Sequence, residues 1–297
     1  MSAGTATLTL PNAKRKKKVG SFAIFWRRFR RQKMAMICLV ILLVILLACI
    51  MAPLIAPYGY EVMDTSAIKQ GPSLKHLFGT DAMGRDIFSR CLYGGRYSIA
   101  IGLLSTAIAL VAGVIIGAVA AYFGGVVDMV ITRVLDLFSS LPSILLSLTI
   151  SAVLGAGFTN LLIALAVSSI VIYAREIRAK MLSIREMEYV EAAKATNCSV
   201  FRIMFCHIVP NAMTPVIVAA TMGIASQILN AATLAYIGLG VQPPSPEWGA
   251  MLADAKTYIR QFPYMLVGPG MLIVICVLCF NIIGDGIRDA MDPKLKN

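Results

Sequence analysis

Six stretches of the chain stay apolar for long enough to cross hydrocarbon, where a helix needs about 20 residues. The first runs from Met34 to about Ile55 and is closed by Pro53 and Pro57. The others cover about Tyr97–Tyr122, Val130–Leu154, Thr159–Tyr173, Ala212–Leu234 and Tyr264–Ile283. Between the fourth and fifth the pattern changes. Tyr189–Thr196 reads as a polar helix with Tyr189, Ala192, Ala193 and Thr196 on one small, nearly flat face and Glu188, Glu191 and Lys194 on the other. Asn197 follows, a residue that tolerates the left-handed conformation which ends a helix. Ser199 is placed to cap a second helix. In that helix Phe201, Met204, Phe205 and Ile208 recur at i, i+3, i+4, i+7, a bulky stripe expected to be buried. Val209-Pro210 is expected to stop it before the fifth span.

Composition agrees with a lipid solvent. Of 297 residues 58% are hydrophobic and 14% charged, against about 45–50% and about 25% in soluble domains. The net charge of +12 is unevenly spread. Ten Lys or Arg fall between Lys14 and Lys33, six between Arg175 and Arg202, and three in the tail. An even number of spans places all three groups on one side, which the positive-inside rule makes cytoplasmic. The basic arm is therefore a topology signal rather than a nucleic-acid tail. The organisation expected is an arm over residues 1–33, a first span over 34–55, an extracytoplasmic segment over 56–96, a five-span core over 97–284 with a cytoplasmic loop at about 175–210, and a tail over 285–297. In the arm Phe22, Phe25, Trp26 and Phe29 recur at helical spacing among Arg27, Arg28, Arg30 and Arg31, the pattern of an interfacial helix on anionic lipid.

Several chemistries are disfavoured. The first apolar run is too long for a signal-peptide core. The span centres carry no ionisable side chain, unlike ion-coupled carriers; Asp136, near one end of the third span, has Arg133 as its expected partner. GTDAMGRD (Gly79–Asp86) has the G-x4-G spacing of a phosphate loop, but Arg85 and Asp86 stand where Lys and a hydroxyl are needed, so it reads as an ordered external turn. The two histidines give no zinc spacing, and the seven cysteines read as small buried hydrophobes. Gly113 and Gly117, extended by Ala121, allow close helix approach. Gly223, Gln227 and Asn230 share a face of the fifth span, suited either to a translocation path or to interhelical hydrogen bonds.

The stretch EAAKATNCSVFRIMFCHIVPN resembles the EAA loop of binding-protein-dependent ABC importer permeases, with Glu191, Ala192, Ala193 and Pro210 in place, Asn197 where the family has glycine, and His207 and Val209 where it has isoleucine and leucine. FWRRFRRQKMAMICLVILLVILLACIMAPLIAPY, HLFGTDAMGRDIFSRCLYGGRYSI, LAYIGLGVQPPSPEWGAML and GDGIRDAMDPKLKN are similar to the C-type permease subunit of dipeptide/oligopeptide ABC transporters. The resemblance covers nearly the whole chain from about Phe22.

What that resemblance implies is an all-α integral membrane protein with a type I importer permease fold and cytoplasmic termini. It implies a multi-pass subunit of the cytoplasmic membrane that is not itself an enzyme. It would pair with a B-type permease, two ABC ATPases and an extracytoplasmic peptide-binding protein. No cofactor is expected on this chain; ATP and Mg belong to the ATPases. Tyr189, Glu191, Ala192, Ala193, Asn197 and Pro210 are the expected ATPase-docking residues. Gly223, Gln227 and Asn230 are candidates for the path, and Gly79, Asp81, Arg85, Asp86 and Trp248 for contact with the binding protein. Related permeases also handle nickel chelates, glutathione and antimicrobial peptides. A proton-coupled peptide carrier is the rival mechanism, and a membrane assembly protein without a pore is the rival class.

Overall fold

The computed structural model describes residues 21–291; the Lys14–Lys18 cluster and the tail from residue 292 lie outside them. Those residues form helices joined by turns and by a longer, largely irregular segment over 56–86, which carries one isolated antiparallel bridge, Thr80 to Asp86. In order they are α1 (Ser21–Phe29), α2 (Lys33–Ile50), α3 (Ala52–Ile55), α4 (Ile87–Phe123), α5 (Gly125–Ser139), α6 (Ser143–Leu154), α7 (Phe158–Ile184), α8 (Glu188–Ala195), α9 (Val200–Arg202), α10 (Val209–Tyr236), α11 (Trp248–Ala255) and α12 (Tyr264–Met291).

The α4–α7 seam is the tightest in the bundle. A Cβ on Gly113 would come within 2.7 Å of the Tyr173 Cβ, and one on Gly117 would run into the Ala174 carbonyl. The G-x-x-x-G of α4 thus lets two backbones touch, as its spacing predicts. α10 lies against both helices, and α12 packs on α10 and α2. α2 buries only a narrow stripe, Ala35, Cys38 and Cys49, and leaves Val40, Leu43, Val44 and Leu47 about half exposed, as a peripheral lipid-facing span would. Its last carbonyls are capped by Arg96, whose guanidinium donates to Cys49 O and Ile50 O at 2.7 Å each.

Four expectations need correction. The third span is two helices, α5 and α6, that meet at 83°. Pro142 breaks it: it lacks an N–H and pushes Leu141 away from the helical region. Val209-Pro210 does not end a helix either. α9 continues through a π-helical turn at Ile203–Ile208 directly into α10, and the wider turn accommodates the missing N–H and the ring of Pro210. Ser199 makes no side-chain cap. Asp136 pairs with Arg175 on α7 (2.8 Å) rather than with Arg133, because the α5–α7 packing brings the former closer. Helices also extend beyond the apolar runs: α4 begins ten residues before Tyr97, α7 continues to Ile184, and α12 takes up the first residues of the expected tail.

α1 carries Phe29, almost fully buried against α12 together with Ala35 and Ile283. Ile24, Trp26, Arg27 and Arg30 are exposed. The expected stripe is thus divided: Phe29 packs on protein, Trp26 is exposed beside Arg27, and the side chain of Phe22 lies outside the described residues.

Candidate functional site

The helical hairpin begins where α7 leaves the bundle. α8 ends in a Schellman turn: Cys198 N–H donates to Ala193 O (3.2 Å), Asn197 N–H donates to Lys194 O (3.0 Å), and Asn197 has φ 57°. The sequence expectation for Asn197 is met in geometry; its short polar side chain tolerates a conformation that glycine would adopt more cheaply.

Val190 roots α8. It is completely buried in a cluster with Met181 and Ile184 of α7, Ala118 and Ala121 of α4, and Ile203, Ile208 and Ala212 of the π turn and α10. Val190 was not among the expected site residues; its signal was its i, i+3 spacing to Ala193. Ala193 is half-buried and packs on the same cluster, so the flat face is not wholly free. The surface presented outward is Glu188, Glu191, Ala192 and Ala195, flanked by Tyr189 at 41% exposure. Phe201 is 69% exposed and packs its ring on Phe205 at 4.8 Å, which corrects the expectation that the whole stripe is buried. Cys206 is likewise exposed rather than buried. Pro210 sits in the first turn of α10, and the next residue, Asn211, donates with its amide to His207 O (2.7 Å) and the Tyr189 hydroxyl of α8 (3.4 Å).

Two further groups fasten this end of the bundle. Arg185 donates to Ala121 O at 2.9 Å, satisfying a carbonyl at the end of α4. Arg178 holds Asp128 of α5.

On α10, Gly223 and Gln227 face α7. The Tyr173 hydroxyl occupies the space a Cβ on Gly223 would need. Gln227 is 2% exposed and its amide donates to Leu165 O (3.2 Å) and to Ser169 Oγ. Of the two roles open to this face, Gln227 performs interhelical bonding and Gly223 makes room for Tyr173. Asn230 is half-buried at the edge of the seam. The open side of α10 carries Thr214, Ser226 and Thr233, and Thr233 and Ser226 bond their own helix at Leu229 O (2.9 Å) and Met222 O (3.5 Å). Beneath Thr214 an open groove of about 1340 Å³ is bordered by Glu176, Lys180, Asn211 and Arg288.

At the opposite end of the bundle, GTDAMGRD is an ordered turn, as expected, but of its residues Met83 is the exposed one while Gly79, Arg85 and Asp86 are turned inward. Arg85 and Asp86 are 4% and 3% exposed, Gly79 is buried, and Asp81 is half-buried. Asp86 caps α4 through Ser89 N (2.7 Å) and accepts from His76 Nδ1 (2.9 Å), while Asp81 accepts from Arg85 Nε (2.6 Å). Trp248 is fully buried, its indole N–H donating to Cys91 O at 2.9 Å. Contact of Gly79, Arg85, Asp86 and Trp248 with a binding protein is therefore corrected to a scaffolding role: charges this deep are paired inward because burial would otherwise penalise them.

Glu247, unanticipated from sequence, is 1% exposed. It accepts from Ser98 Oγ (2.9 Å), Gly249 N (2.9 Å) and Ala250 N (2.8 Å), capping α11. Burial pushes its carboxyl above the ordinary range, opposed by those donors.

The family model for the binding-protein-dependent transport system inner membrane component matches residues 113–297, and that for the N-terminal TM domain of oligopeptide transport permease C matches residues 21–72. The chain is similar to the dipeptide transport system permease protein DppC of Alkalihalophilus pseudofirmus, 44% identical over 92% of this chain and 90% of that one. It is similar to the glutathione transport system permease protein GsiD of Pectobacterium atrosepticum at 38% over 97% and 96%, and to that of Escherichia coli O6:K15:H31 at 42% over 92% and 90%. Among solved structures, the MetNI methionine ABC transporter in an inward-facing conformation superposes with a TM-score of 0.57 at 19% identity, over 69% of this chain and 98% of that one.

Proposed function

This chain belongs to the family of binding-protein-dependent transport system inner membrane components, and on that premise we propose that it is the C-type permease subunit of an ATP-driven importer of small peptides. The relatives named for dipeptide and glutathione transport support that cargo class, since glutathione is itself a short peptide.

The observation that carries the mechanism is the seating of α8. Its exposed face, Glu188, Glu191, Ala192 and Ala195, is small at the centre and charged at the rim, the shape of a ridge that fits a groove on a soluble protein. Val190, on the other side, is locked into the ends of α4, α7 and α10. An ATPase that grips α8 therefore moves three spans together. The positive charges clustered at this end support a cytoplasmic placement, where two ATPases holding ATP and Mg would dock. To drive transport they must bind the two states of the pore differently, and one rigid, well-rooted ridge allows that. A B-type permease completes the pore, and an extracytoplasmic binding protein delivers the peptide. The open face of α10 (Thr214, Ser226, Thr233), with Asn230 at its edge, lines the path; the Ser226 and Thr233 hydroxyls, already bonded to their own helix, hold cargo only weakly. Asp128 and Asp136 of α5 are paired with Arg178 and Arg175, which argues against proton coupling through those two carboxylates.

Ala192→Arg tests this. The variant should insert and pair with the second permease, but the ATPases should no longer co-purify and peptide uptake should stop. ATPases that stay bound, or uptake driven by a proton gradient without ATP, would overturn the proposal.

A further inference from the structure

At the end of the bundle away from α8, the segment following Gly71 carries Leu74, Leu77 and Phe78 outside any core. Leu74 is 101% exposed, Leu77 51% and Phe78 37%. Leu77 and Phe78 form one wall of a groove of about 770 Å³; Tyr264, Val267, Met271 and Ile275 of α12 form the other. The segment is held in place. Phe78 packs so closely on Gly268 that a Cβ there would come within 2.8 Å of its ring, and it makes an edge contact with Phe88 at 5.2 Å. The Tyr264 hydroxyl donates to Thr80 O at 3.3 Å and marks the polar end of the groove.

Three features identify the occupant. The groove runs from Tyr264 to Ile275, about 16 Å at ~1.5 Å per residue. That equals one leaflet of a hydrocarbon core about 30 Å thick. Below Tyr264 the α12 wall offers no hydrogen-bonding side chain. The groove is also continuous with Val267, Met271, Val274 and Leu278, an apolar stripe along α12, each residue 54–57% exposed, which faces lipid if α12 spans the membrane. A wholly exposed leucine beside such a groove is costly in water and favourable in acyl chains. We propose that the groove holds one acyl chain of an outer-leaflet phospholipid and that Leu74 and Leu77 dip into that leaflet beside it, anchoring the external segment to the end of α12. The inference is independent of cargo and of the ATPase contact.

The test uses the assembled transporter in phospholipid bilayers. Leu74→Trp is made in a Trp26→Phe background, so that the exposed native tryptophan does not report and the buried Trp248 gives a constant signal. Acyl-brominated phosphatidylcholine should quench the new fluorescence at least twofold, and aqueous iodide should leave it nearly unchanged. Filling the groove with Val267→Phe and Met271→Phe should reduce by one the phospholipids retained per transporter in native mass spectrometry. Iodide quenching without bromolipid quenching would put the segment in water and overturn the proposal. So would an unchanged lipid count in the filled variant, or bromolipid quenching that appears only when the second permease is omitted, which would assign the groove to a protein contact.

Discussion

Arg178 on α7 grips Asp128 on α5 through both carboxylate oxygens, Nε to Oδ1 and Nη2 to Oδ2, each at 2.6 Å. The geometry is bidentate, which fixes direction as well as distance. The N-terminal half of α5 is otherwise sparsely held: Val126, Met129 and Val130 are 56–70% exposed, whereas Leu135 and Asp136 further along pack on α7. The pair therefore fastens the first half of the broken span to the helix that leads into α8. Side-chain exposures of 28% and 19% leave room for solvent screening. A double-mutant cycle with Asp128→Asn and Arg178→Gln, read by thermal melting, should give a coupling of about 1 kcal/mol. A coupling near zero would make the contact incidental.

Val190 separates docking from transmission. Val190→Ala keeps the outward face of α8 but leaves a void beneath it, at a cost of about 1 kcal/mol. The ATPases should remain bound and keep hydrolysing ATP, while uptake per ATP falls severalfold. This is the opposite of the Ala192→Arg phenotype, and measuring hydrolysis and uptake on the same proteoliposomes distinguishes the two.

Glu247 sets a pH dependence. Its folded carboxyl titrates above the ordinary value because burial outweighs the donors around it. The native state thus holds a proton that the unfolded chain releases near pH 4.5, and stability falls as pH rises from there towards the folded value. Glu247→Gln should flatten the slope of melting temperature against pH over that window, with Ser98 and the first N–H groups of α11 still partly satisfied. Glu247→Ala should cost about 2 kcal/mol below that window by orphaning buried donors, and less above it, where the wild type has lost the stability of its bound proton.

Gly94 is required by close approach. It is buried, and a Cβ there would collide with the carbonyl oxygen of Pro246 and press on the Trp248 ring. Gly94→Ala should displace the 243–248 loop and lower the melting temperature by several degrees, equivalent to about 2 kcal/mol. Gly71→Ala, where nothing lies within 4 Å, should be nearly silent.

The two sides of α10 should separate by phenotype. Gln227→Leu removes an interhelical bond in the seam and should cost about 0.6 kcal/mol of stability with little change in uptake kinetics. Thr233→Leu should leave stability nearly unchanged but alter the rate of peptide uptake. The reverse pattern would move the path to the α7 side.

Much of the site was legible because its signals are local. The left-handed turn needed only Asn197 after a short helix, and the close α4–α7 seam needed only Gly113 and Gly117 at one-turn spacing. The stretches long enough to cross hydrocarbon follow from its thickness, although the helices built on them run longer and one of them is broken. Other features were illegible because they depend on what lies opposite. The burial of Trp248, Arg85 and Asp86 depends on loops from distant parts of the chain closing over them, and the partner of Asp136 was chosen by helix packing.

The sequence alone determined that the chain lives in lipid, that the centres of its apolar runs are free of ionisable side chains, and that a polar hairpin interrupts them, because periodicity and composition are properties of neighbours along the chain. Only the tertiary structure decided that Pro142 breaks a span whereas Pro210 is absorbed by a π turn. It also decided that Val190 rather than the flat face roots the hairpin, and that Gln227 turns to α7 while Thr233 stays open. Each of those choices depends on packing and hydrogen-bond satisfaction between residues far apart in sequence, which no local pattern records.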